Sequence, residues 1–195
     1  ARLEDSEAGV RGAAVQTLGK LEPAALAQHQ QAIAKVAEED SYGYVQIAAR
    51  FVMHKLEPAA GHMDAVVAKL EHCDLNVRRA AVQTLGKLEP AALAQHGAAL
   101  AARLEDSDGD VRRVAVETLG KLEPAALVQH GAALAARLED SSGSVREAAV
   151  QTLGKLEPAA LAQHEQAIAK VAEEDESSNV RDAAAKVLVK LRAGK

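Results

Sequence analysis

Aromatic residues are nearly missing from this chain. Its 195 residues include no tryptophan, one phenylalanine and two tyrosines, while 44 are alanine. That mixture suits closely packed helices and fits poorly with a β-sandwich or barrel. Cysteine is also scarce. Cys73 stands alone, so no internal disulfide forms, which favours a reducing, cytoplasmic setting. No apolar run approaches the roughly 18 residues of a membrane-crossing helix, and no charged segment followed by an apolar one opens the chain as a signal peptide does. A surplus of basic residues is missing too. Asp and Glu outnumber Lys and Arg by 28 to 23, for a net charge of −5. Neutralising phosphates needs the opposite balance, which argues against a nucleic-acid or anionic-membrane partner.

The five prolines fall in one recurring motif, Leu-Glu-Pro-Ala-Ala, at Pro23, Pro58, Pro90, Pro124 and Pro158, with spacings of 35, 32, 34 and 34 residues. Around them the string TLGKLEPAALAQH recurs at 17–29, 84–96 and 152–164, and at 118–130 with Val128 substituted. A second marker, an acidic-Ser turn followed by Val-Arg, appears at Val10-Arg11, Val77-Arg78, Val111-Arg112, Val145-Arg146 and Val180-Arg181; the second unit has Val45-Gln46. The period defines the architecture before any single residue does.

Each unit reads as two helices. In the fourth, a first helix is predicted from Pro124 to Glu139, with Leu127, Gly131, Leu134 and Leu138 on one face at helical spacing. A polar turn, 140–144, supplies capping oxygens. A second helix follows from Val145 to Leu156, with Val145, Ala149, Thr152, Leu153 and Leu156 facing the core. One such pair cannot bury its apolar faces, whereas stacked pairs can. The expected fold is all-α: a right-handed α-solenoid of antiparallel helix pairs. It forms a single domain over 1–195 of about five and a half units, with a shortened first unit at 1–21 and a charged capping helix at 176–195.

A period near 34 also fits tetratricopeptide repeats, but their Trp and Tyr signature is absent. The Pro-initiated helix followed by Asp106-Ser-Asp-Gly-Asp-Val111-Arg112-Arg-Val-Ala115, repeated from Asp140, resembles HEAT and bacterial HEAT-like repeats over almost the whole chain. The resemblance implies that second-type helices line a concave face. It also implies a polar ladder between units from Asp and the Arg six residues later: Asp5 and Arg11, Asp106 and Arg112, Asp140 and Arg146, Asp175 and Arg181. The pattern is interrupted at Asp40 with Gln46 and at His72 with Arg78. Copies this similar point to recent duplication or to consensus design.

The departures cluster. Tyr42, Tyr44, Phe51, Met53, Met63, Cys73, His54 and His72 all lie between residues 42 and 73, and the second unit loses two residues at Pro58–His62. On a helical wheel, positions two, six and nine after the Val point about 180–240° from it. Regular units place small or polar residues there; the second places Ile47, Phe51 and His54. Aromatic and apolar groups on a solvated inner face compose a binding hot spot. The expected partner-binding set is Tyr42, Tyr44, Ile47, Arg50, Phe51, His54 and Leu75, rimmed by Arg79, Arg113 and Glu117. The partner is a protein or peptide, with a second copy of the chain as one candidate.

Chemistry is less well supported. The in-register histidines 29, 62, 96, 130 and 164 sit on helices about 8–10 Å apart, too far to share one metal, and read as half-buried side chains bonding the loop. His54, His62, His72 and Cys73 form a weak candidate for a metal or thiol site, lacking any recognised ligand spacing. HEAT-like hydroxylases would need repeated His-Glu pairs, and only His164-Glu165 occurs. The reading is therefore a non-enzymatic scaffold without a cofactor, with the metal or thiol site, or an engineered scaffold with no native partner, as alternatives.

Overall fold

The computed structural model describes residues 2–57 and 61–193; Ala1, Pro58 to Ala60 in the shortened motif, Gly194 and Lys195 lie outside them. The described residues form helices joined by short turns, with no strand among them. The backbone packs as two units, Ala1–Lys87 and Leu88–Lys195. The first holds α1 (Ala8–Leu18), α2 (Pro23–Ala27), α3 (Gln30–Glu39), α4 (Gly43–Leu56), α5 (His62–Ala68) and α6 (Leu75–Leu85). The second holds α7 (Pro90–Ala94), α8 (Gly97–Ala102), α9 (Gly109–Leu119), α10 (Pro124–Leu127), α11 (Gly131–Ala136), α12 (Gly143–Leu153), α13 (Pro158–Leu161), α14 (Glu165–Glu174) and α15 (Ser178–Ala193).

The predicted faces are buried as expected: Leu127, Leu134 and Leu138 on the first helix, and Val145, Ala149, Thr152, Leu153 and Leu156 on the second. The first helix is not continuous, however. After Pro124–Leu127 the chain tightens into a 3₁₀ turn, Val128–His130, and resumes at Gly131. The break serves packing. A Cβ on Gly97 would lie 2.7 Å from His130 Nε2, and one on Gly131 2.9 Å from His164 Nε2. Each ring therefore rests on the preceding repeat's glycine, a role different from the expected bond to the loop. The 140–144 turn also departs from expectation. Ser142 makes no side-chain cap; instead Asp140 Oδ1 accepts the Ser142 N–H at 2.9 Å.

Second-type helices stack side by side within each unit, α1 on α4 on α6, and α9 on α12 on α15. The glycine nine residues after each Val sits in that contact. A Cβ on Gly19 would be 2.7 Å from Val52, on Gly120 2.9 Å from Thr152 Oγ1, and on Gly154 2.7 Å from Val187. These glycines have ordinary right-handed backbone, so close approach, not turn geometry, selects them.

Two polar rows stitch the neighbours together. At the N-terminal end, Arg112 donates to both carboxylate oxygens of Asp140 at 2.8 Å and to the Asp106 carbonyl at 2.9 Å. Arg11 bonds Asp40 and the Asp5 carbonyl in the same way, and Arg146 bonds Asp175 and the Asp140 carbonyl. The arginine thus binds its own repeat's Asp only through the backbone and spends its charge on the next repeat's Asp. At the C-terminal end, Lys55 donates to the Gly19 carbonyl at 2.7 Å, Lys155 to Gly120 at 2.7 Å and Lys190 to Gly154 at 2.6 Å. Each lysine caps the preceding helix, where carbonyls lack intrahelical partners. The lysine recurs ten residues after the repeat Val, at Lys55, Lys155 and Lys190, and the glycine it caps lies nine after the Val of the preceding repeat.

Gly154→Ala is expected to destabilise the protein, and Gly9→Ala, where nothing lies within 4 Å, to leave it unchanged or gain up to about 1 kcal/mol; urea unfolding compares them. Arg146→Ala strands the buried Asp175 carboxylate and should lower stability by roughly 3 kcal/mol. Acid should act in two stages. His130 and His164 are pushed below the ordinary histidine range by burial. Their contribution is complete above about pH 6.5 and is lost as pH falls below it. The Arg11 and Arg146 guanidinium bonds hold the Asp40 and Asp175 carboxyls below the usual range; at Asp140 burial is the largest single influence and pushes upward, but the Arg112 bond, the Ser142 N–H and the charges of Arg112 and Arg137 together outweigh it and hold the carboxyl low as well. That stability is complete above about pH 4 and falls away as the carboxyls protonate. Urea midpoints from pH 8 to about 2 should show both declines, and Asp175→Asn should reduce the second alone.

Candidate functional site

The second repeat breaks the arginine row at both ends of one link. Gln46 donates Nε2–H to the Asp40 carbonyl at 2.7 Å, reproducing the arginine's bond within the turn. The carboxylate that an arginine would seek on the next repeat is His72, whose Nδ1 accepts the Asp74 N–H at 3.1 Å, where an aspartate oxygen does so in other turns. A neutral pair replaces a charged one, and the local turns survive.

The wheel placed Ile47, Phe51 and His54 on a solvated face. The structure corrects this for Ile47, which is 1% exposed. Positions two and nine lie on the flank that meets the next helix, because side-by-side stacking buries more of the cylinder than a single core face does. Position six points outward: Gln16, Gln83, Glu117 and Gln151 are exposed there, and Phe51 is half-buried. Two ammonium groups lie over the Phe51 ring, Lys87 Nζ at 5.3 Å and Lys55 Nζ at 5.9 Å from its centroid. Tyr42 is 52% and Leu75 39% exposed. Tyr44 is half-buried beside Gly12, and its ring meets that of Tyr42 edge-on at 6.0 Å. Arg11 lies 5.7 Å over Tyr42. Arg113 and Glu117 lie in the second unit and pair with each other at 2.6 Å.

Arg50 holds a position that is valine in regular repeats, where Val15, Val82, Val116 and Val150 are all fully buried. Its Nε is buried without a hydrogen-bond partner, and so is Nδ1 of His54, one turn later on the same flank of α4. In the first repeat that valine shares a core cluster with Leu26 of the Pro-Ala-Ala-Leu motif. The shortened motif at 58–62 contains no such leucine. A larger polar side chain thus stands where the sequence has lost a buried apolar one.

Between the start of α4 and α6 lies an open groove of about 690 Å³, lined by Tyr42, Tyr44, His72, Asp74, Asn76 and Arg79, with Gln83 at its far end. A Cβ on Gly43 would lie 2.9 Å from Val77, so the glycine lets α6 approach and form the floor. Of the lining residues, Tyr42, Tyr44 and Arg79 belong to the expected partner-binding set, and His72 to the weak metal or thiol set. Asp74, Asn76 and Gln83 had no mark in the sequence; only their place beside the tyrosines brings them to the groove.

The weak metal candidates do not converge. Among the described residues, no three His, Cys, Asp or Glu side chains are grouped to hold an ion. Cys73 is exposed, its Sγ 3.9 Å from His72 Nδ1, a nitrogen already engaged by a backbone N–H. His62 faces Glu57 at 3.9 Å instead.

A family profile described as HEAT repeats matches residues 63–130 and 131–194, and one described as a HEAT repeat associated with sister chromatid cohesion matches residues 1–18. No curated protein matches the chain. Among solved structures, an engineered protein aligns with a TM-score of 0.68 at 16% identity, covering 99% of this chain and 94% of that one. A designed armadillo repeat protein in complex with the peptide (KR)4 aligns at 0.66 and 16%, covering 97% and 96%. A chain of an AP-3 complex structure aligns at 0.74 and 17%, covering 97% of this chain and 36% of that one. At these identities the likeness shows the fold, an all-α repeat solenoid.

Arg50→Val should restore the regular core and remove an unpartnered nitrogen, raising stability by about 1–3 kcal/mol. Urea unfolding measures it, and a loss of stability would mean that Arg50 has a structural partner.

Proposed function

Because this chain belongs to the HEAT-repeat family, we propose that it is a non-enzymatic scaffold that binds a protein or peptide through the exposed face of its second-type helices, centred on α4 and α6. The family resemblance assigns that face to the concave side. The observation that carries the reading is the groove at the start of these helices, where exposed Tyr42 and its partner Tyr44 face Arg79 across a gap open to solvent. Tyrosine supplies contact area while freezing few rotatable bonds, and arginine is likewise enriched where interfaces are tight. Designed armadillo proteins of similar fold are described as peptide binders, one as made for modular peptide recognition. Ile47 and Tyr44 support the surface from beneath, and Phe51 with the lysines over its ring extends it along α4.

Selection of a displayed random-peptide library tests this. Peptides enriched on the wild-type chain should lose affinity about tenfold or more on Tyr42→Ala or Phe51→Ala, while melting shifts by less than about 3 °C. Tyr44→Ala is a poorer probe, since its ring also packs beside Gly12. Retained affinity in both Tyr42→Ala and Phe51→Ala would place binding elsewhere on the molecule.

A further inference from the structure

We infer that two grooves on the first-type helices, one in each unit, bind arginine side chains of a partner peptide, at a surface separate from the α4–α6 face. The chain itself shows what such a groove holds. Arg137, seven residues after His130, reaches back to the turn of the preceding repeat. Its Nη1 donates to the Leu104 carbonyl at 2.9 Å, and its Nη2 pairs with Glu105 at 2.6 Å. The same guanidinium stands 3.7 Å from Asp140. Two repeats lack this arginine. Seven residues after His29 and His164 come Val36 and Val171, both buried. A groove opens at each of these places. One, of about 270 Å³, lies between Leu138 and Glu139 on one side and Val171 and Glu174 on the other. Its counterpart, of about 400 Å³, lies between Leu3 and Glu4 and Val36 and Glu39. Leu138 and Leu3 precede their valines by 33 residues, as Leu104 precedes Arg137. The turn that receives a guanidinium from Arg137 is thus present twice more without one. Among the described residues, no side chain donates to the Leu3 or Leu138 carbonyl.

The charge of both grooves suits the missing group. Carboxylates outnumber cations four to two around the first, counting Glu4, Asp5, Glu39 and Asp40 against Arg11 and Lys35. They outnumber them three to one around the second, counting Glu139, Glu174 and Asp175 against Lys170. Asp40 and Asp175 are already held by Arg11 and Arg146. Glu4, Glu39 and Glu174 are exposed and make no ion pair among the described residues. Glu139 meets Lys170 at 3.3 Å, but both side chains are more than half exposed, so the pair is solvated and weak. A guanidinium is a planar fork that serves a carbonyl and a carboxylate together, as Arg137 does, whereas an ammonium is a point charge without that geometry. The apolar floor, Ala32 with Val36 and Ala167 with Val171, suits the methylene stem of an arginine.

The test uses the full chain and two fluorescein-labelled probes of equal charge, Gly-Arg-Ala-Gly-Arg-Ala-Gly-Arg and Gly-Lys-Ala-Gly-Lys-Ala-Gly-Lys, followed by fluorescence anisotropy in about 0.1 M NaCl. The arginine probe should bind about fivefold or more tightly than the lysine probe. Val36→Arg combined with Val171→Arg gives each groove its own guanidinium and should weaken binding about tenfold. Gln16→Arg combined with Gln151→Arg adds the same charge on second-type helices and should weaken it by less than about twofold. Glu39→Gln combined with Glu174→Gln removes two exposed carboxylates, keeps the test open if the valine variant does not fold, and should weaken binding about threefold. Equal binding of the two probes, equal loss in the two arginine variants, or undiminished binding in the Glu→Gln variant would each overturn the assignment. So would no binding of the arginine probe at about 1 mM protein. Tyr42→Ala should bind the arginine probe as the wild type does; loss there would move the site to the α4–α6 face and overturn the inference while leaving the peptide-binding reading in place.

Discussion

A guanidinium that grips the aspartate of the following repeat is the contact on which the regular parts of this molecule depend. Arg11, Arg112 and Arg146 each bind their own turn through a carbonyl and the neighbour through a carboxylate. One side chain therefore fixes both the turn and the spacing between repeats. At the opposite end of the helices the glycine and the next repeat's lysine do the same work with a close contact and a cap. A repeat that cannot bury its apolar faces alone is held in register at both ends by its neighbours.

The second repeat departs from this scheme in a coordinated way. Gln46 and His72 replace the charged pair without breaking either turn, whereas Arg50 and His54 enter a flank that elsewhere holds valine and glycine. A charged side chain in a valine's place, with a buried nitrogen lacking any partner, opposes stability. Sequences violate local folding rules in this manner mainly at functional sites. The same repeat carries every aromatic residue of the chain and exposes Tyr42, so the proposed binding surface coincides with the helices that carry the unpartnered Arg50 and His54 nitrogens.

Much of this was legible in the sequence because the repeat supplies its own controls. Leu127, Leu134, Val145 and Leu153 announced the core by periodicity, and the aspartate and arginine positions announced the ladder through the family resemblance, although the partner of each carboxylate is the preceding repeat's arginine. A wheel with one buried face could not place Ile47, since stacking adds a second buried flank that becomes visible only when neighbouring helices are present. His130 and His164 looked like loop contacts because the glycine beneath each of those two rings lies one repeat away. The lysine recurs ten residues after the repeat Val, but a backbone carbonyl acceptor leaves no mark in sequence. The groove residues Asn76 and Gln83 are ordinary side chains brought beside the tyrosines by position alone, and His72, which the sequence marked as a weak metal or thiol candidate, joins them there.

The central claim is that the irregular repeat exchanges stability for recognition. The most direct measurement is made on one variant that carries the residues of the α9 repeat, Asp108, Val116, Glu117 and Gly120, at the four equivalent positions: Tyr42→Asp, Arg50→Val, Phe51→Glu and His54→Gly. Calorimetric unfolding and titration with a library-selected peptide are performed on the same sample. The account expects a higher melting temperature together with loss of binding. A variant that binds as the wild type does, or that gains no stability, would contradict it.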